Sequence, residues 1–290
     1  MMDQDVLNRI LEAQTNEITE YHIYQKLADK IKDPHNSKVL EQISNDELRH
    51  HNIWKEYTGV EVKPKRFKIW FFYIIARIFG LSFSVKLMEQ GEEAAQVNYD
   101  DLAKSVPDAH RISADEDMHE AQLMEMINEE RFHYVGAIIR GLNEAVVEIL
   151  AILTGLSLVL ADTTVIALTG IITGSAMSLS LGATEYLATK AEESHLKPGK
   201  SALYTGFATA ITVSLLVSPY LFLQNTHVAM GVMIAFALVI IFFFNYYIAV
   251  ARNISFWKRF GEMVIIAALI ASFTYLIGYL ASEVWHINIH

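Results

Sequence analysis

The chain has 290 residues, room for two domains, and carries 33 Asp and Glu against 23 Lys and Arg, a formal net charge of −10. Only 19% of its residues are charged and its mean hydropathy is +0.26, too apolar for an ordinary soluble protein, while the acidity disfavours nucleic-acid binding and suits the attraction of cations. It has no cysteine, which excludes disulfides, zinc–thiolate sites and rubredoxin-type iron centres, so any metal must be held by oxygen and imidazole nitrogen. The averages conceal a division. Residues 1–134 hold 16 of the 23 Lys and Arg and 25 of the 33 Asp and Glu, so an acidic soluble region precedes a sparsely charged one.

In chain order, the start MMDQDVLNRI is polar and acidic, without an apolar core, so no cleaved signal peptide is expected. Apolar positions at helical spacing (Val6, Ile10, Ile18, Ile23, Leu27, Ile31) predict a helix over 3–32 that stops at Asp33-Pro34. A second helix is predicted from about Ser37 to Tyr57, ended by Gly59. A third runs from near Ser84 to Lys104, before Pro107. The fourth begins near Ser113, with Glu116 three residues on as a capping box. Between the two pairs lies FKIWFFYIIARIFGLSFSV, residues 67–85, apolar enough to raise the question of a membrane span. We read it as a long crossover instead, with the membrane surface or a partner subunit as surfaces it could lie against. Lys68 and Arg77 interrupt it, and a crossing there would place the two helix pairs on opposite sides of the bilayer.

The two helix pairs carry a repeated pattern of metal-ligand types. Glu17 with Tyr24 precedes Glu47-x-x-His50, and Glu92 with Tyr99 precedes Glu116-x-x-His119. Residues three apart share one face of a helix, so each Glu-x-x-His presents a carboxylate and an imidazole together. A lone carboxylate from each preceding helix completes a six-ligand, two-metal box in a four-helix bundle. Glu-x-x-His alone is weak, since it also occurs at Glu130/His133, Glu192/His195 and Glu283/His286, but Glu followed seven residues later by Tyr occurs only at Glu17 and Glu92. Glu20, one turn after Glu17, is either a seventh, mobile ligand or a surface carboxylate.

Downstream, five segments are long enough to span a bilayer, at about 141–161, 165–187, 201–223, 228–250 and 260–282. Lys190, Lys197, Lys200, Arg252, Lys258 and Arg259 fall in the loops after the second and fourth, which puts those loops and the amino-terminal domain in the cytoplasm and the carboxyl terminus outside. Acids at bilayer depth mark an ion path by default. Glu144 and Glu148, one turn apart in the first span, and Met177 and Glu185 in the second are the path candidates. Each has a bland alternative: a boundary position for Glu144, a structural ion pair for Glu148, packing for Met177, and an interfacial pair with Lys190 for Glu185.

Over about residues 5–130, the residues Glu17, Glu47, His50, Glu92, Glu116 and His119 give the chain a resemblance to the ferritin-like di-iron superfamily, rubrerythrins in particular. The resemblance implies an Fe(II)/Fe(III) di-iron site, or Mn(II), bridged by Glu47 and Glu116, with the other four residues terminal. The rubredoxin-like electron-transfer module of rubrerythrins is missing, which favours metal binding or sensing over peroxidase chemistry. Over about 135–282, GLNEAVVEILAILTGL, GSAMSLSLGATEYLATKAEE and KPGKSALYTGFATAITVSLLVSPYLF resemble the vacuolar iron transporter family. That implies a homodimer exporting ferrous iron from the cytosol against inward proton movement. Here the loop after the second span is too short for the family's usual metal-binding insert. The combination resembles the membrane-bound ferritin family.

The reading is therefore all-α: a ferritin-like four-helix bundle over 1–134, cytoplasmic, then a five-helix transmembrane domain over 135–290. The function it implies is proton-coupled metal export, with a bundle that captures, buffers or senses the metal and has scope for ferroxidase activity. Two alternatives stay open, a membrane-anchored di-iron oxidase or peroxidase and a manganese exporter. A helix running on from about Asp117 to Glu148 is the expected route of any signal between the domains.

Overall fold

A computed structural model of the chain describes residues 3–95, 102–103, 105–126, 134–192 and 196–284; for residues 92–95 and 284 it describes the backbone. The described residues are all helical apart from turns, and the chain divides into two compact units, Met1–Phe132 and His133–His290.

In the first unit, α1 spans Gln4–Ala28 and α2 spans Pro34–Thr58. Asp33-Pro34 opens α2 where the sequence suggested a stop. Asp33 accepts from the backbone N–H groups of His35 and Asn36 at 2.9 and 3.0 Å, and Pro34 sits in the first turn, where its missing N–H costs nothing. Gly59 closes α2 in the left-handed region at φ 68°. The two helices form an antiparallel hairpin: the Ser37 and Ser44 hydroxyls donate to the carbonyls of Ala28 and Tyr21, and Gln14 donates to that of Val60.

The apolar stretch at 67–85 is two helices. α3 covers Arg66–Phe79, Gly80 breaks the run at φ 97°, and α4 covers Leu81–Ala95. Fourteen residues reach about 21 Å, short of a ~30 Å hydrocarbon core. Its inner face is used for packing instead: Ile69 and Phe72 of α3 join Leu81 and Val85 of α4 against Ile23, Tyr24 and Leu27 of α1 and Leu40 and Ile43 of α2. α5, Asp108–Glu125, starts directly after Pro107, five residues before the predicted Ser113, which stands inside the helix and caps nothing. Ala109 and Ile112 of α5 pack with Ile10, Ala13 and Trp54 in a second cluster. The predicted third helix beyond Ala95, Tyr99 and Lys104, and the junction of the long Asp117–Glu148 helix at 127–133, lie outside the described residues.

The second unit contains α6 (Val135–Val159), α7 (Thr163–Ala191), α8 (Pro198–Phe222), α9 (Thr226–Arg252) and α10 (Phe256–Val284). All five are long and apolar enough to cross a bilayer. Asp162 and Asn225 cap α7 and α9, accepting from Thr164 N–H and Val228 N–H. In lipid no hydrophobic effect drives helices together, so close packing at small residues must do so. Gly182 of α7 and Gly206 of α8 are such a pair: a Cβ on either would stand 3.1 Å from a carbonyl oxygen of the other helix. α6 supplies the centre of the core, with Ala145, Ile149 and Leu153 packed on Ile166, Val217 and Met233.

Candidate metal centre

α1, α2 and α5 bring carboxylates and imidazoles together in the interior of the first unit. One ligand atom each from Glu17, Glu47, His50 and Glu116 lies within 4.8 Å of all the others. Each Glu of the two Glu-x-x-His motifs sends one oxygen toward each histidine. Glu47 Oε2 is 3.7 Å from His50 Nδ1 and its Oε1 is 3.3 Å from His119 Nδ1; Glu116 Oε1 is 3.1 Å from His50 Nδ1 and its Oε2 is 3.6 Å from His119 Nδ1. Glu17 Oε2 stands 3.6 Å from His50 Nδ1, and its other oxygen accepts from Trp54 Nε1 at 3.0 Å. The imidazole rings lie 5.8 Å apart. Each of the two carboxylates thus stands between the two imidazoles.

The outer nitrogens show what the sequence reading missed. His50 Nε2 donates to Asp115 at 3.2 Å, and His119 Nε2 to Asp46 at 3.3 Å. Asp46 and Asp115 are the residues immediately before Glu47 and Glu116. Because α2 and α5 run antiparallel here, each Asp supports the other helix's histidine. Arg49 holds both, 2.8 Å from Asp46 and 2.8 Å from Asp115. An Nε2–H held by carboxylate leaves the Nδ1 lone pair aimed at the cluster, the tautomer a metal needs. The signal was available. Of the five Glu-x-x-His motifs, only these two have Asp in front.

The cluster is buried, so its charges act strongly on one another. His50 is fully buried, and Glu47 and Glu17 are 2% and 3% exposed. Burial opposes charging of the histidines, but the surrounding carboxylates prevail: Glu116, Glu17 and Glu47 raise His50 far above its ordinary value, and Glu116 and Glu47 lift His119 to about 10. Against its burial, Glu116 is drawn down to about 2 by His119 and His50. Glu17 is raised by burial. His50 Nδ1, His119 Nδ1 and Glu47 Oε2 nevertheless make no hydrogen bond among the described residues. Buried donor atoms left so, in an oxygen and imidazole set, fit a divalent metal ion.

Of the remaining candidates, Glu20 is buried and paired with Lys68 at 2.9 Å, and the Glu92 side chain lies outside the described residues. Glu89, one turn before Glu92 and unnoticed in the sequence, is raised to about 7 by burial first and then by the charges of Glu120, Glu116 and Glu20.

In the second unit Glu144 and Glu148 are exposed on one face of α6, whereas Met177 is packed in the helical core. Glu185 is buried, and its partner is Arg140 of α6, where sequence had offered Lys190. The guanidinium donates from Nη2 at 2.7 Å and from Nε at 3.2 Å, and Thr189 adds a third bond to the carboxylate at 3.2 Å. Arg140 lies within the first span-length helix, one turn before Glu144 and just outside the predicted span at 141–161.

The VIT family sequence model matches residues 135–198, which cover α6, α7 and the first residue of α8. No curated protein and no solved structure matches the chain. With the five apolar helices, the match supports a vacuolar iron transporter-type domain in an integral membrane protein, and it suggests transport of a metal ion such as iron or manganese across the membrane.

Proposed function

We propose that the chain exports ferrous iron from the cytosol in exchange for protons, and that its amino-terminal unit is a ferritin-like di-metal domain that captures, buffers or senses the cargo. The observation that carries this reading is the convergence of Glu17, Glu47, His50, Glu116 and His119 in a chain whose membrane part matches the VIT family. Glu47 and Glu116 would bridge two ions. Glu17, His50, His119 and Glu92 would be terminal, and Glu20 could join only by releasing Lys68. A bound ion would supply positive charge and, for iron, redox chemistry. The chain's own part is to hold the histidine tautomers through Asp46 and Asp115 and to give up the Nδ1 protons as the cation enters.

Transport would use Glu144 and Glu148. An exposed carboxylate at bilayer depth costs ~3 kcal/mol, so a second copy of the chain against α6 is the natural cover, which favours a homodimer with the path beside the first spans. Carboxylates in such a path exchange metal for protons as they titrate. The basic loops support an orientation with the amino-terminal unit in the cytoplasm and the carboxyl terminus outside. Ligand type does not separate Fe(II) from Mn(II), so both are tested. In proteoliposomes the parent should move one or both ions, Glu144→Ala should lose transport, and Glu47→Ala should keep the path but lose affinity or regulation. Oxygen or peroxide consumption without flux would replace this reading with an anchored oxidase.

A further inference from the structure

α3 is apolar on two faces, and only one of them is used. Ile69 and Phe72 pack inward, but Phe67, Trp70 and Ile78 are 76%, 57% and 61% exposed, and Phe71 is exposed beside them. These residues fall at helical spacing along a single outer stripe. The aromatic part is continuous: the Phe67 ring lies 6.3 Å from that of Phe71 and 6.4 Å from that of Trp70. An exposed apolar patch of this kind marks an interaction surface.

Charge identifies what it meets. Residues 62–88 contain six Lys and Arg and no Asp or Glu, inside a region that is otherwise acidic. Lys63 and Arg66 border one end of the stripe and Arg77 the other, all exposed. Aromatic side chains with a basic border are the composition of a helix lying in a bilayer interface, and cytoplasmic leaflets are anionic. The chain itself meets such a surface, since α6–α10 are long and apolar enough to cross a bilayer. A second copy docked through the same face would set one basic border against another and be repelled.

We propose that the outer face of α3 seats on the anionic surface of the same bilayer that α6–α10 cross, with Phe67, Trp70, Phe71 and Ile78 in the headgroup region and Lys63, Arg66 and Arg77 on lipid phosphates. This rests on the reading of α6–α10 as membrane helices and is otherwise independent of transport. Its consequence is positional: the metal cluster is held near the membrane instead of tumbling on a tether.

The absence of native cysteine allows a direct test on the full chain. Spin labels on Phe67→Cys, Ile78→Cys and, as an exposed control on α2, Lys38→Cys would be compared in nanodiscs of phosphatidylcholine with phosphatidylglycerol. Labels at 67 and 78 should collide more with oxygen and less with a water-soluble paramagnetic chelate than the label at 38. Adding Lys63→Glu, Arg66→Glu and Arg77→Glu, or removing phosphatidylglycerol, should return them toward water. Labels at 67 and 78 as water-accessible as the one at 38 would overturn the proposal. So would spin–spin broadening that vanishes on dilution with unlabelled chain, since a second copy would then cover the face. Metal flux through the same labelled chains in sealed vesicles of that lipid composition separates the outcomes: flux with water-exposed labels defeats the seating alone, and lipid-seated labels without flux defeat transport alone.

Discussion

The two units both bury glutamates, but they neutralise them with different partners. In the first unit Glu47 and Glu116 face His50 and His119, which carry protons they can release. In the second, Glu185 faces Arg140, whose proton does not leave at any accessible pH. The first arrangement can exchange its positive charge for a metal ion and the second cannot. Glu185 therefore reads as structural, although the sequence offered it as a path residue. Glu144 and Glu148, the path residues of the proposal, are exposed on α6 and stand outside that pair.

The largest effect that would test this contrast is on stability. Glu185 is 6% exposed in its side chain and Arg140 54% exposed, so the two partners are not equivalent. Arg140→Ala strands a buried carboxylate and should cost about 3 kcal/mol, whereas Glu185→Ala leaves an arginine able to reach water and should cost less. Thermal unfolding in detergent reads both. Equal losses would show that the pair is not asymmetric, and no loss in either would show that it contributes nothing.

Next in size is the support given to the histidines. Asp115→Ala should weaken metal binding about 10-fold to 100-fold by freeing the His50 tautomer, and Asp46→Ala should act likewise through His119. Titration calorimetry with Mn(II) measures this without oxidation. Unchanged affinity in both variants would remove the cross-helix support from the account.

Smaller, but diagnostic of the removable charge, is the pH dependence. His119 has its value raised to about 10, so its contribution to the metal-free fold is complete below its unfolded value near 6.5 and is lost as pH rises through 10. Metal binding displaces that proton, so affinity should rise with pH over the same range. The gap in melting temperature with and without Mn(II) should thus widen from pH 6.5 to 9. A gap that narrows would mean the imidazoles do not coordinate.

Much of this contrast was legible in the sequence, for reasons that differ by residue. The Glu-x-x-His pairs declared themselves because three-residue spacing and repetition survive without coordinates. Asp46 and Asp115 did not, since an acid next to an acid on a helix looks like solvated surface until a second helix is placed against it. Arg140 fell just outside the predicted span at 141–161 because hydropathy sees residues and not pairs, and α6 begins five residues before it at Val135. Asp33-Pro34 combines a stop signal for one helix with a start signal for the next, and the cap bonds decide for the start. Residues 67–85 were ambiguous because apolarity alone does not distinguish lipid from a protein core. Gly80 and the packing of Ile69 and Phe72 resolve it.

The most direct measurement loads sealed vesicles containing the full chain with a pH-sensitive dye and follows metal entry and internal pH together after Fe(II) or Mn(II) is added under anaerobic conditions. The account predicts metal movement accompanied by opposite proton movement, both abolished in Glu144→Ala and both retained, with altered metal dependence, in Glu47→Ala. Metal movement without a pH change would contradict the exchange, and unimpaired movement in Glu144→Ala would contradict the assignment of the path.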